Sequence, residues 1–328
     1  MGKKEVNEKT VLFGQKSSEK EDTYQAIPAL YEQNYRDRKV SVIIPTLNAE
    51  KNISLLIDRL LEQTVSAEII VVDSSSDDNT QAFVRGYGDP VRLICISRKE
   101  FDHGGTRDNA FRMSTGDFVL FLSQDAMPTD NRYIEKLAAV FDNDSIAAVY
   151  ARQIAYPDAP EYEKLTRHFN YPEESRIWSE KNISELEIKA FFFSNVCSAY
   201  RRTAYLKAGG FDHPVESNED MLMAEKLLRG GCHLAYNADA KVFHSHNFTL
   251  LQDFRRSVLS ARVMNRYKER LAGAKRYSHG IRYVYFVLIA LLKKGSFVQA
   301  AAFIPHAFVR FAGDLCGRFN HAAEANNF

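Results

Sequence analysis

Four short apolar runs, each ending in polar residues, constrain this chain more than any other feature of its sequence. Residues 40–45 (VSVIIP) form a continuous apolar stretch stopped by a proline, the pattern of a strand buried on both faces. Residues 50–63 then carry Ile53, Leu56, Ile57, Leu60 and Leu61 at helical spacing. Residues 68–73 (EIIVVD), 91–97 (VRLICIS) and 117–123 (DFVLFLS) predict three further strands. A helix is predicted over residues 80–87, and a glycine-containing loop and helix between the last two strands. Strands alternating with helices predict an α/β fold with a mostly parallel sheet flanked by helices and right-handed crossovers. Ligands of such a sheet bind beyond the carboxyl ends of its strands. The polar residues that follow each strand are therefore the candidates for chemistry.

Beyond Tyr150 the pattern loosens. Residues 156–189 are rich in aromatics, Glu and Arg, with Pro157, Pro160 and Pro172, and predict an irregular insertion or helix over the site. Residues 191–201 resume strand character, and residues 217–231 predict a helix capped by Ser217 or Asn218 and ended by Gly230 and Gly231. The organisation is a polar N-terminal extension (1–38), a main domain (39–249, halves 39–150 and 151–249) and a basic helical region (250–328). At 328 residues the chain can bury a sizeable core. Its formal net charge of +1 gives no field that would recruit nucleic acid. Cys95, Cys197, Cys232 and Cys316 lack the spacing of a metal site or a disulfide framework, so reduced thiols and a cytoplasmic setting are expected. The first 39 residues hold no apolar run, and no secretory signal is predicted.

The first strand ends in Pro45 and Thr46, the second in Asp73, and the fourth is followed by Gln124 and Asp125. Acidic strand ends side by side can hold a nucleotide and a hard divalent cation such as Mg²⁺ or Mn²⁺. Each Asp taken alone reads better as a cap of the following helix. The segment NED, residues 218–220, opens a helix, where Glu219 and Asp220 suit the positive end of the dipole. His244 and His246 follow a short strand two residues apart, so both rings are predicted on one face.

From about Val40 to about Asn247 the chain resembles glycosyltransferase family 2. The resemblance is carried by VSVIIPTLNAEKNI, VVDSSSDDNT, HGGTRDNAFRMSTGDFVLFLSQDAMP, SAYRRTAYLKAGGFD and NEDMLMAEKLLRGG. Within that family, FDHGGTR followed by FLSQDA is similar to bacterial rhamnosyltransferases that use dTDP-L-rhamnose to build cell-surface polysaccharide. The resemblance implies a GT-A fold and an inverting transfer of sugar from a nucleotide diphosphate to an acceptor hydroxyl. It implies that Asp73 meets the base and that Asp125 binds the cation, as the last Asp of the family's Asp-x-Asp. Ser123 replaces the first Asp of that motif, which leaves the cation fewer carboxylates. Ser74 and Asp108 also depart from the family's pattern. Arg107 would face the donor, with Gly104 and Gly105 permitting close approach of the backbone or simply making a turn. Asp220 would be the general base, with Glu219 beside it. A histidine completing the metal site is implied, with His244 and His246 both candidates.

Between Arg255 and Lys294 there are eleven Lys or Arg and one acid, Glu269, interleaved with aromatics and aliphatics. Such a region suits an anionic membrane surface or a helical pair packed on the main domain. The expected acceptor is a glycan or lipid-linked glycan, and the expected location is cytoplasmic, peripheral on the inner face of the membrane. The longest apolar run, residues 283–292, falls well short of the roughly 20 residues that span a bilayer. Two alternatives stand beside rhamnosyl transfer: another donor such as a UDP-hexose, and a non-catalytic nucleotide-sugar-binding protein of the same fold. No Gly-x-Gly-x-x-Gly follows the first strand and no Walker lysine follows the glycines, which argues against dinucleotide and P-loop chemistry.

Overall fold

A computed structural model describes residues 37–271 and 277–319. Most of the predicted N-terminal extension, residues 1–36, lies outside the described residues. The first half alternates strand and helix as predicted: β1 (Val40–Thr46), α1 (Ile53–Leu61), β2 (Glu68–Asp73), α2 (Thr80–Gly86), β3 (Val91–Cys95), α3 (His103–Met113) and β4 (Phe118–Leu122). Next come β5 (Met127–Pro128), α4 (Tyr133–Ala139), β6 (Ile146–Ile154), α5 (Glu161–Asn170), β7 (Arg176–Trp178) and α6 (Ile183–Leu186). The chain continues with β8 (Cys197–Arg201), α7 (Arg202–Lys207), α8 (Glu219–Arg229) and β9 (His233–Phe243). It closes with α9 (Leu250–Arg266), α10 (Tyr277–Lys293) and α11 (Phe297–Phe319).

The strands form one sheet in the order β3-β2-β1-β4-β8-β6-β9-β5, with β7 also on β9. The first four are mutually parallel. β8 then enters antiparallel to β4 and β6, while β6 and β9 run parallel. Chain order reverses at β1, which has β2 on one side and β4 on the other. That reversal opens a crevice beyond the carboxyl ends of β1 and β4.

The continuous apolar strands are explained by cover on both faces. Val42, Ile44, Ile69, Val71, Leu120 and Leu122 pack beneath α1 and α4. Their neighbours Ile43, Ile70, Val72, Val119 and Phe121 point the other way, toward Phe111 of α3 and Met223 and Leu227 of α8. Helix α1 buries Ile53, Leu56, Ile57 and Leu60, whereas Leu61, predicted on the same face, is exposed.

Two local expectations change. The glycines predicted in a loop lie inside the first turn of α3, which starts at His103 with the Asp102 side chain as its cap. Asn218 does precede α8, but it is left-handed (φ 59°) and makes no side-chain cap. Its amide instead donates to Ser260 Oγ of α9 at 2.9 Å.

The basic C-terminal helices are packed onto the rest of the protein. Gly313 and Gly317 of α11 meet α9 so closely that an added Cβ would lie 2.6 Å from the Phe254 carbonyl oxygen and 2.4 Å from that of Val258. Asp253 of α9 is buried and accepts from His306 Nδ1 (2.6 Å) and Arg310 Nε (3.1 Å) of α11. A small core of Leu165, Val287, Leu291, Ala300 and Phe303 joins α5 to α10 and α11. No helix among the described residues is long and apolar enough to cross a membrane.

Candidate active site

The crevice at the β1/β4 reversal is a cleft of about 1140 Å³. Pro45, Thr46 and Leu47 line it from the end of β1, and Ser123, Gln124 and Asp125 from the end of β4. The side-chain amide of Gln124 clamps the two strand ends together: it accepts from Leu47 N (2.8 Å) and donates to Leu47 O (3.1 Å).

Asp125 faces both predicted histidines. Its Oδ1 lies 3.5 Å from His244 Nε2 and its Oδ2 lies 3.5 Å from His246 Nδ1. One ligand atom from each residue falls within 4.8 Å of the others. Burial opposes the charge on Asp125, but the two imidazoles outweigh it and hold the carboxyl below its ordinary range. Burial lowers the pKa of His244 and, with His244 as neighbour, pushes His246 down to about 4. An ionised carboxylate and two neutral imidazoles are the forms a divalent cation needs. The donor set therefore fits a metal, and both histidines belong to it. Sequence reading missed the residue behind them. Gln153 Oε1 lies 2.8 Å from His244 Nδ1, which seats the ring proton on Nδ1 and turns Nε2 toward Asp125. Arg167 also donates to that amide oxygen, and Ser194 Oγ receives its NH₂ at 2.9 Å.

The two acids of α8 have different surroundings. Glu219 is buried, pairs with Arg107 Nη1 at 3.5 Å and accepts from Asn195 Nδ2 at 3.2 Å. Asp220 accepts from the backbone N–H groups of Asn195 (3.1 Å) and Met221 (2.8 Å). No cation lies in ion-pair range of Asp220 among the described residues. Burial, reinforced by the neighbouring Glu219 carboxylate, pushes Asp220 up to about 7. Asn195 sets both acids, and is itself fixed by Ser198 Oγ (2.9 Å) and Tyr200 OH (2.8 Å) donating to its Oδ1. A conspicuous asparagine after a run of phenylalanines was the available signal, and periodicity does not single it out.

Other predicted residues stand differently. Asp73 is fully buried, and its oxygens accept from Thr46 Oγ1, Ser76 N, Ser76 Oγ and Gln81 Nε2. Its carboxylate does not line the cleft, whereas Thr46 and Ser74 on either side of it do. Arg107 lines the cleft, yet its guanidinium is committed to Glu219 and to the His103 carbonyl at 3.0 Å. Gly104 and Gly105 do not line the cleft. A Cβ on Gly104 would sit 2.1 Å from the Asp212 carbonyl oxygen, and one on Gly105 would sit 2.9 Å from Asp102 Oδ2, so their smallness serves the packing of α3.

The cleft at the switch point of this half-parallel sheet therefore brings together an aspartate–histidine cluster and the two acids of α8. The profile of glycosyl transferase family 2 matches residues 41–209, and the chain belongs to that family. The O-antigen chain rhamnosyltransferase WbaN of Salmonella anatum is 36% identical over 255 residues, covering 77% of this chain and 80% of that protein. The O-antigen chain rhamnosyltransferase RfbN of Salmonella typhimurium is 37% identical over 220 residues, 66% of this chain and 70% of that one. Among solved structures, the mannosyltransferase PcManGT from Pyrobaculum calidifontis, in complex with GDP-Man and Mn²⁺, superposes with a TM-score of 0.64 at 16% identity, covering 92% of each chain. Residues 1–349 of TarS from S. aureus with UDP-GlcNAc superpose at 0.52 and 18% identity, covering 85% of this chain and 89% of that one. The GT-A fold expected from the sequence is the fold found.

Proposed function

We propose that this glycosyltransferase moves L-rhamnose from dTDP-L-rhamnose to a hydroxyl of a surface polysaccharide, with inversion at the anomeric carbon. One observation carries the chemistry: the Asp125/His244/His246 cluster and Asp220, a carboxylate without a cation partner, open into the same cleft. The rhamnosyl assignment is supported by the similarity to two O-antigen rhamnosyltransferases.

Asp125, His244 and His246 would hold the divalent cation. With two imidazoles and one carboxylate, the set suits Mn²⁺ better than Mg²⁺, which favours oxygen ligands. When bound, that ion neutralises negative charge developing on the departing diphosphate. Pro45, Thr46, Ser74 and Gln124 form the shelf for the nucleoside, held from beneath by Asp73. Asp220 takes the proton from the acceptor hydroxyl; a carboxylate titrating near 7 is well matched to that transfer. Glu219 neutralises Arg107 and, through Asn195, keeps Asp220 in place. One displacement needs no covalent nucleophile.

The acceptor is a glycan, and a lipid-linked glycan at the cytoplasmic face of the membrane is the form the C-terminal helices favour. Ile281 and Tyr285 on α10 and Phe297, Val298 and Phe308 on α11 are all largely exposed, in a region that also carries Lys293 and Lys294. Apolar side chains among basic ones suit an anionic bilayer surface.

Turnover with dTDP-L-rhamnose, UDP-glucose and GDP-mannose, each with and without Mn²⁺, tests the donor and the metal together. Mn²⁺-dependent release of dTDP alone is the expected result. Preferential release of UDP would replace the donor assignment with a UDP-hexose, and nucleotide binding without turnover of any donor would favour a non-catalytic binding protein.

A further inference from the structure

Five arginines line the cleft: Arg98, Arg107, Arg167, Arg256 and Arg310. Four of them are engaged by carboxylates. Arg98 pairs with Asp77, Arg107 with Glu219 (3.5 Å), Arg167 with Glu163 (2.9 Å) and Arg310 with Asp253 (3.1 Å). Arg256 differs, for no carboxylate among the described residues lies within ion-pair distance of it. The acid placed to pair with it is Asp253, one turn earlier on α9. Asp253 is already taken by Arg310 and His306 of α11.

The guanidinium of Arg256 lies over the Phe248 ring, 4.6 Å from its centroid. The same ring stacks with His246, centroid to centroid 4.4 Å at 29°. Phe248 thus couples a metal-ligand candidate to an arginine whose fork is open to the cleft. An uncompensated guanidinium beside a cation site is arranged to receive an anion with several oxygens.

We propose that Arg256 is a second seat for the diphosphate of the nucleotide donor, binding the phosphate that departs with the nucleoside, and that the C-terminal region is thereby part of the catalytic cleft. This rests on the donor-binding reading above. It assigns to Arg256 the donor-facing role that the family resemblance implied for Arg107, whose charge is spent on Glu219. It also gives α11 a part in the site, because Arg310 and His306, by holding Asp253, keep Arg256 available. A guanidinium on the departing phosphate stabilises charge that grows as the glycosidic bond breaks.

Calorimetry on the full chain with Mn²⁺ separates the possibilities, using the mono- and diphosphates of thymidine, uridine and guanosine. For whichever nucleoside the wild-type protein binds, Arg256→Ala should weaken the diphosphate about 10- to 100-fold, the loss of a charge-assisted pair. It should change the monophosphate by less than about threefold, and Arg256→Lys should recover part of the loss because charge returns without the fork. Equal weakening of mono- and diphosphate would overturn the proposal in favour of a structural role. Unaltered nucleotide affinity with a raised KM for acceptor would overturn it in favour of an acceptor contact. If wild-type protein binds none of the diphosphates, the donor-binding reading itself fails and takes the seat with it.

Discussion

Gln153 and His244, ninety-one residues apart in sequence, meet through a 2.8 Å contact between Oε1 and Nδ1 at the back of the candidate metal cluster. The contact joins β6 to the segment that follows β9, two strands that pair in parallel up to Ile154 and Phe243. Gln153 is 1% exposed, and its contact fixes the tautomer and orientation of the His244 ring.

Replacement of that glutamine should therefore weaken the metal and not the fold of the sheet. Gln153→Leu is expected to lower Mn²⁺ affinity about 10- to 100-fold. His244→Ala or Asp125→Ala should abolish binding in the same Mn²⁺ titration. Wild-type affinity in Gln153→Leu would remove the second layer from the site.

The acids of α8 give a prediction about pH. Asp220 must be ionised to accept a proton, so turnover should fall as pH drops below about 7, the value to which burial and Glu219 raise it. Asp220→Asn should cut turnover on the order of 10²- to 10⁴-fold and flatten that acid limb, with donor binding retained. Because its folded pKa lies above its unfolded one, ionising Asp220 costs stability as pH rises from about 4 through about 7. Asp220→Asn should accordingly melt no lower than wild type at pH 8. A crippled Glu219→Gln beside a nearly normal Asp220→Asn would reverse the assignment within the pair.

Close contact between α9 and α11 should be intolerant of bulk. Gly317→Ile must push against the Val258 carbonyl, where even a Cβ falls at 2.4 Å. Overpacking of this kind costs about 1–3 kcal/mol. Thermal unfolding should show a lowered midpoint, and nucleotide diphosphate affinity should drop because α9 forms one wall of the cleft. A variant as stable as wild type would show that the helices can part freely.

Membrane attachment is testable by sedimentation with anionic liposomes. The full chain should pellet at low salt and be partly released at about 1 M, where the Debye length is about 3 Å. Ile281→Ser with Tyr285→Ser, both strongly exposed, should reduce binding without altering turnover of a soluble acceptor. No pelleting at low salt would leave the apolar face to another partner and favour a soluble acceptor.

Local sequence determined the parts of this protein that depend on near neighbours. A continuous apolar run can only be buried on both faces, so β1, β2 and β4 were legible, and with them the strand ends that carry Thr46, Asp73, Gln124 and Asp125. The pair His244 and His246 was legible as a pair because two residues along an extended segment return to the same side. Tertiary structure decided which of these groups remain available. Asp73 is enclosed by four donors, and Arg107 is neutralised by Glu219. Gly104 answers to the Asp212 carbonyl, far along the chain. Gln153, Asn195 and Arg256 acquire their roles only from residues brought against them by β6, β8 and α9. A charge or a lone pair is free or spent according to what folds beside it, and that is settled by contacts between distant segments, which no local pattern records.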